Sequence, residues 1–296
     1  MPQKGGFQMN NQPQETKNLA RLLISCPDKT GIISQVSTFL FQQGANIMDS
    51  DQHTTEEGQF FWRLEFEFGH DSLRKLTEEF SYIAKTASMK WTMKLSSERK
   101  RIALFVTKED HCLLELLYEW QAGDLQADIC AIVSNHQSLK LYADQVHIPF
   151  YYIPVAKDTK WECEQEQLAI LRENNIDTIV LAKYMQILSP TFVAQFPNQI
   201  INIHHSFLPA FVGARPYEQA FHRGVKLIGA TSHYVTNDLD EGPIIEQGVD
   251  RVTHKHSVAQ LKRIGKNIER TVLAKAVKWH VEDRVIVHGN KTIVFT

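Results

Sequence analysis

At 296 residues the chain has room for two domains with separate cores, and 43% hydrophobic against 22% charged residues is the balance of a globular protein. A formal net charge of −2 leaves no electrostatic footprint for nucleic acid, and no apolar run approaches the length that spans a bilayer. The four cysteines, Cys26, Cys112, Cys130 and Cys163, form no C-x-x-C pair, which fits free thiols in a reducing cytoplasm.

Residues 1–16 are polar, Gln/Asn-rich and without an apolar core, so a loose tail is predicted and not a signal peptide. A first domain is predicted over 17–95. Leu19–Ile24 is strand-like, and Pro27 to Gly31 is a turn that opens a helix. Ile32, Ile33, Val36, Phe39 and Leu40 recur at helical spacing, and Gly44 ends that helix. Residues 45–53 read as a second strand. In 61–68, Trp62, Leu64, Phe66 and Phe68 face one way and Arg63, Glu65 and Glu67 the other, the alternation of a half-buried antiparallel strand. Leu73, Leu76, Phe80 and Ile83 mark a second helix, and 89–95 a fourth strand. The order is βαββαβ, the ferredoxin-like pattern.

After a charged linker at 96–100 the pattern changes to alternating strands and helices, and a second domain is predicted over 100–296. Strands are expected at 102–107, 129–134, 151–155, 178–182 and 200–204, with helices such as 113–121 and 163–174 between them. That alternation predicts a mostly parallel, doubly wound, Rossmann-like α/β sheet, whose ligands bind beyond the carboxyl ends of the strands. Residues 256–281 read as one long helix, and 285–295 as a hairpin about Gly289-Asn290.

The stretch 201–248 carries the chemistry. Asn202 and His204 end a strand-like run and share one face, while Asp240 sits in a Leu-Asp-Glu-Gly-Pro turn between two apolar runs. An amide donor, an imidazole and a carboxylate suit attack on a small carbonyl: they polarise the oxygen, move a proton and orient the nucleophile. Taken alone, a strand-ending Asn-x-His is more often structural. His204, His205, His222 and His233 fit no standard zinc spacing, so no metal is expected.

The run Leu181-Ala182-x-Tyr-Met185-x-Ile187-Leu188-Ser-Pro190, then Asn202-Ile-His204, Leu208-Pro209, Gly213, His233 and Leu239-Asp240-x-Gly242-Pro243-Ile244, resembles the 10-formyltetrahydrofolate-dependent formyltransferase family over about 100–280. The resemblance implies Asn202, His204 and Asp240 as the catalytic trio. It implies Met185, Gln186, Ile187 and Leu188 as the loop holding the folate pteridine, and Val235 and Leu239 as the opposite wall. His205, His233 and Gly213 are supporting candidates. Lys183, Tyr184 and Gln186 fall where members of the family differ.

Cys26-Pro-Asp28-Lys-Thr-Gly31-Ile before the first helix, with Gly44-Ala-Asn46-Ile before the second strand, is similar to ACT domains, small ligand-sensing modules that pair through their sheets. That similarity implies a homo-oligomer, a tetramer by this reading, with an amino-acid effector near Asp28, Gly31 and Asn46. An ACT domain ahead of a formyltransferase-like domain, with His204-His205-Ser206 where transformylases usually place proline after the first histidine, resembles the formyltetrahydrofolate deformylase family.

The acceptor end departs from the transformylases. Thr107-Lys108-Glu109-Asp110 has no glycine for close backbone approach and sets two carboxylates where an acceptor phosphate would sit. Water is then the expected nucleophile, with Asp240 as the base and His204 assisting. The expected reaction is hydrolysis of 10-formyltetrahydrofolate to formate and tetrahydrofolate, serving one-carbon and purine metabolism. Folate is the substrate, and no separate cofactor is implied. Two alternatives stay open: a formyltransferase for a non-phosphorylated amine, and a non-catalytic amino-acid-sensing protein with a degenerate folate site.

Overall fold

The computed structural model describes residues 18–69, 72–156, 158–210 and 215–296. The expected tail at 1–16 and the supporting candidate Gly213 lie outside the described residues. The chain divides into two compact units, 1–98 and 99–296.

The first unit runs β1 (Asn18–Pro27), α1 (Ile32–Gln42), β2 (Asn46–Thr54), β3 (Gln59–Phe68), α2 (Leu73–Thr86) and β4 (Lys90–Leu95). Its sheet has the order β2-β3-β1-β4, with every neighbour antiparallel. Leu22 and Ile24 of β1, Leu64 and Phe66 of β3, Val36 and Leu40 of α1 and Leu76 and Phe80 of α2 form one core. Fully burying each large apolar side chain contributes about 1.5–3 kcal/mol, which is what holds so small a layer together. The alternation of β3 holds on the core face but misleads on the other. Arg63 is 1% exposed, with its guanidinium 2.9 Å from Asp49 Oδ2 and 3.5 Å from Glu65 Oε2. A buried arginine is tolerable because two carboxylates match it.

The second unit continues with β5 (Lys100–Val106), α3 (His111–Ala122), β6 (Ala127–Ser134), α4 (Lys140–Gln145), β7 (Phe150–Tyr152), α5 (Lys160–Glu173), β8 (Thr178–Leu181), α6 (Pro190–Val193), β9 (Ile200–His204), α7 (Pro216–Arg223), β10 (Leu227–Tyr234), β11 (Ile244–Arg251), α8 (Val258–Val281), β12 (Val285–His288) and β13 (Lys291–Val294). Its seven-stranded sheet has the order β11-β10-β9-β8-β5-β6-β7. The strands β5 to β9 are parallel, as the sequence pattern predicts, while β10 and β11 are antiparallel additions. The chain winds outward from β5 through β6 and β7, then returns to β8 on the other side of β5. The crevice beyond the carboxyl ends of β5 and β8 is therefore the topological switch point, where such sheets bind ligands. The long helix α8 starts at a capping box in which Ser257 accepts from the Gln260 backbone N–H and Gln260 reaches back. Val272, Leu273, Ala276 and Val277 bury its inner face in the same core as β5, β9 and β10.

Candidate active site

Three parts of the chain build the site: the end of β9, the end of β10, and the loop between β10 and β11. In the β9–β10 ladder Asn202 stands opposite His233, and His204 opposite Thr231. Directly opposed residues share a face, so the antiparallel β10 brings His233 to Asn202. Thr231, fully buried, fastens the segment after β9: its hydroxyl donates to the Ser206 carbonyl at 2.9 Å and accepts from the Leu208 N–H at 3.0 Å.

The loop delivers Asp240 with φ 58, a left-handed conformation that aspartate tolerates better than most residues. Two residues on, Gly242 lies so close to β10 that a Cβ there would stand 1.8 Å from the Tyr234 carbonyl oxygen. The Tyr234 N–H donates to the Pro243 carbonyl at 2.9 Å, which closes the turn against the strand. The Leu-Asp-x-Gly-Pro pattern thus has a steric reason: only glycine lets the loop pass, and its passage sets the carboxylate beside His204.

Asp240 Oδ2 is 3.1 Å from His204 Nδ1. A carboxylate only accepts, so Nδ1 carries the proton and Nε2 presents a lone pair. His204 is 6% exposed, and its Nε2 has no hydrogen-bond partner among the described residues. A buried polar atom without a partner is costly, and here it points to a group that arrives with the substrate. His233 is arranged the other way. Its Nδ1 donates to the Tyr234 carbonyl at 2.9 Å, so its Nε2 accepts from Asn202 Nδ2 at 3.2 Å. That contact fixes the Asn202 amide with its second N–H free to donate. Asp240 Oδ1 lies 3.6 Å from His233 Nε2, beyond a hydrogen bond but within strong electrostatic reach. Burial works to raise the Asp240 carboxyl, yet the hydrogen bond from His204 prevails and holds it far below the usual carboxylate range.

His205 stacks on His204, with ring centroids 5.1 Å apart at 25°. Burial first, then Lys183 and His204, bring its imidazole down to about 4. The neutral ring is favoured in the fold, so its contribution to stability is fully present above about 6.5 and is lost as pH falls from 6.5 toward 4. Replacing His205 by glutamine should therefore flatten the loss of urea midpoint between pH 7 and pH 5. Parallel curves for the two proteins would show that His205 does not titrate there.

The pteridine-loop candidates separate into anchors and exposed groups. Leu188 is buried, while Met185 and Ile187 are 59% and 62% exposed; Gln186 is half-buried. Val235 packs against the cluster containing Tyr184 and Leu188, and Leu239 is 61% exposed. Met185, Ile187 and Leu239 are thus apolar groups left in water on the two predicted walls, as a ligand-facing surface requires. The loop is pinned along its length. The Met185 N–H donates to Thr107 Oγ1 at 3.0 Å, Gln167 Nε2 donates to the Tyr184 hydroxyl at 3.0 Å, and the Ser189 N–H donates to the buried Glu164 at 2.8 Å. None of Thr107, Gln167 and Glu164 belongs to a motif of the loop, so only the folded chain reveals them as its supports.

At the acceptor end one of the two expected carboxylates is already matched by a cation. Glu109 Oε2 is matched by Lys266 Nζ at 2.5 Å, and a cavity of about 460 Å³ opens beside it, lined also by Lys183, His205, Tyr217 and Glu269. Glu269, 2% exposed, takes the Tyr217 hydroxyl at 2.6 Å, His111 Nε2 at 2.9 Å and Lys183 Nζ at 3.0 Å. Burial opposes its ionisation, but these partners outweigh it and lower it to about 2. His111, Cys112 and Glu269 offer ligand atoms within 4.8 Å of one another. The Lys183 ammonium already holds the cation's place on Glu269, and burial keeps the Cys112 thiol protonated, so the group is ill suited to a metal.

In the first unit, Asp28, Gly31 and Asn46 do not meet within one copy. Pro27 pairs with Gln59 at one end of β3, whereas Asn46 pairs with Glu67 at the other. At about 3.3 Å per residue those positions are on the order of 26 Å apart. Gly31 has φ 95 and precedes α1 without a side-chain cap. A site using all three residues needs two copies of the domain.

The family model described as Formyl transferase matches residues 100–277, and the one described as ACT domain matches 20–83. A formyltetrahydrofolate deformylase of Bacillus subtilis (strain 168) is 57% identical over 279 residues, 93% of each chain. That of Escherichia coli (strain K12) is 40% identical over 270 residues, 91% of this chain and 95% of the other. The crystal structure of a formyltetrahydrofolate deformylase from Pseudomonas syringae pv. tomato superposes with a TM-score of 0.93 at 44% identity, covering 96% of both chains. A glycinamide ribonucleotide transformylase from Symbiobacterium toebii matches at a TM-score of 0.63 and 27% identity, covering 67% of this chain and 95% of the other. With both domain types in this order and identities of 40–57% along nearly its whole length, the chain belongs to the formyltetrahydrofolate deformylase family.

Proposed function

We infer that the chain is a hydrolase that converts 10-formyltetrahydrofolate to formate and tetrahydrofolate. The observation that carries the chemistry is the buried Nε2 of His204, without a partner among the described residues, on a ring held at Nδ1 by Asp240 and on the same strand face as Asn202. The pteridine enters between the 185–188 loop and Val235 with Leu239. Water attacks the formyl carbon while His204 Nε2 takes its proton. Asp240 keeps the ring oriented and stabilises the imidazolium that forms. The Asn202 N–H and the new imidazolium stabilise the oxyanion. The bond to the folate nitrogen then breaks, and that nitrogen takes the proton back from His204.

This assignment moves the base from Asp240 to His204. A carboxylate held so far below its ordinary range by the His204 ring is a weak proton acceptor, and its geometry is that of an orienting group. Folate serves as substrate with no separate cofactor, and the formate released is available to one-carbon and purine metabolism. The direct test is formate release from 10-formyltetrahydrofolate with no amine present. Absence of formate under those conditions would end the hydrolytic reading.

The first unit supports a regulatory and assembly role. Among the described residues the edge strand β2 pairs with β3 alone, and it carries Met48 56% exposed. Unpaired strand edges invite pairing with another chain. A homo-oligomer, a tetramer on this reading, would bring Asn46 of one copy to the Asp28–Gly31 turn of another and form an amino-acid site there. Light scattering at micromolar concentration should show an assembly, and removing residues 1–95 should weaken it and abolish any amino-acid response. A monomeric full-length protein would refute the assembly.

A further inference from the structure

The cavity beside His205 plays no part in the hydrolytic chemistry described above, yet its wall is densely charged. Those charges fall into pairs. Lys183 Nζ lies 3.0 Å from Glu269, Lys266 Nζ 2.5 Å from Glu109, and Lys262 Nζ 2.8 Å from Glu218. Every carboxylate on the cavity wall is matched by a lysine on the same wall. Lys108 and Arg215 line it as well, so five cationic side chains face three carboxylates. The cavity is therefore net positive, with no carboxylate left over.

The three pairs are unequal. Those of Lys262 and Lys266 are partly solvated, with lysine side chains 52% and 45% exposed, so water weakens them. Lys183 and Glu269 are 9% and 2% exposed, where an unmatched charge is strongly disfavoured. Lys183 is also fixed from its backbone: it stands just past the end of β8 with φ 64, a conformation uncommon for a residue with a side chain. Such conformations persist where the surroundings over-determine them. The residue sits at the switch point, its ammonium aimed at the middle of α8.

A primary amine approaches an active site mainly as an ammonium ion. To be held and deprotonated it needs a carboxylate whose charge no cation has already neutralised. Here Glu269 already takes three donors, and the surplus positive charge repels a cation. Water is neutral and meets no such barrier.

We propose that Lys183, by occupying Glu269, closes this cavity to amine acceptors and so determines that the formyl group passes to water. The proposal rests on the hydrolytic reading above. With water, a C–O bond forms as the formyl C–N bond breaks, and the proton given up by water ends on the folate nitrogen. With an amine, a new C–N bond forms, the same folate bond breaks, and the amine's proton ends on that nitrogen. No oxidant or further reactant enters either course.

The test is the partition of the formyl group. The full-length protein is incubated with 10-formyltetrahydrofolate and excess glycinamide, and formate and N-formylglycinamide are quantified by mass spectrometry. The native protein should give formate with only a trace of N-formylglycinamide. In Lys183→Met the ratio of N-formyl product to formate should rise at least about tenfold, the factor one charge-assisted contact supplies. Lys183→Arg should restore formate, and adding Glu269→Gln to Lys183→Met should remove the transfer again. An unchanged ratio in a folded Lys183→Met protein would overturn the proposal. Should that variant fail to fold, Lys183→Gly, which suits the left-handed backbone at that position, also frees Glu269, and an unchanged ratio there overturns it equally. Failure of the native protein to release formate would instead strike the hydrolytic reading.

Discussion

Asp240→Asn is expected to lower turnover by about 10³- to 10⁴-fold while the folate still binds. The substitution keeps the shape of the side chain and removes its charge. An amide can donate to His204 Nδ1 as readily as accept from it, so the ring loses its reason to keep the proton on that nitrogen. With the proton on Nε2, the atom facing the substrate becomes a donor and cannot take a proton from water. The loss should therefore fall on the single-turnover rate, with the dissociation constant for folate changed far less. If affinity collapses while bound substrate is hydrolysed at the native rate, Asp240 is a binding residue and the orienting role fails. The damage should exceed that of removing the oxyanion donor, because one substitution disables both the base and the imidazolium that replaces it.

Asn202→Ala is expected to cost about 10²- to 10³-fold in turnover, or roughly 3–4 kcal/mol of transition-state stabilisation. The amide is held by His233 with one N–H committed and the other free. That preorganisation is what makes a single donor worth so much, since no reorganisation is needed as charge builds on the oxygen. Its loss should leave substrate affinity near native, because the ground-state carbonyl makes a weaker hydrogen bond than the oxyanion does. Hydrolysis at the native rate in this variant would remove Asn202 from the mechanism.

Sequence periodicity carried most of the architecture because most elements here obey a single period. The strands β5 to β9 are short apolar runs set between helical patterns, and α8 is a long amphipathic stretch with a cap. The strand β10 escaped, and the reason is chemical. Its sequence Leu-Ile-Gly-Ala-Thr-Ser-His-Tyr is buried from Ile228 to Tyr234, on both faces, so no alternation marks it. Thr231, Ser232 and His233 can sit inside only because each has hydrogen-bond partners. Those partners come from β9, its following turn and β10 itself, and no local window displays them. Arg63 deceived in the opposite sense, since an alternating charge reads as solvated until its two carboxylates are placed.

The site divides in the same way. Asn202, His204 and Asp240 stood out through motif, and the structure brings them together. What no motif gives is direction: which nitrogen of His204 faces the cavity, and which N–H of Asn202 is free. The first follows from Asp240 at His204 Nδ1, the second from His233, whose own tautomer the Tyr234 carbonyl sets. The Lys183–Glu269 pair joins residues 86 positions apart, and only the packing of α8 against the sheet makes them neighbours.

The tight passage at Gly242 has a consequence for how this protein tolerates change. Real Cβ atoms stay about 3.0 Å or more from such an oxygen, so even alanine would push the loop by roughly 1.2 Å. A misplacement of about 1 Å in a reacting group can cost on the order of 10²-fold in rate. A mutational scan scored on activity would thus rank position 242 with the chemical groups, although glycine has no side chain to take part in chemistry. Under neutral drift the position is locked, while exposed Leu239, three residues away, is free to vary in any way that keeps the ligand-facing surface apolar.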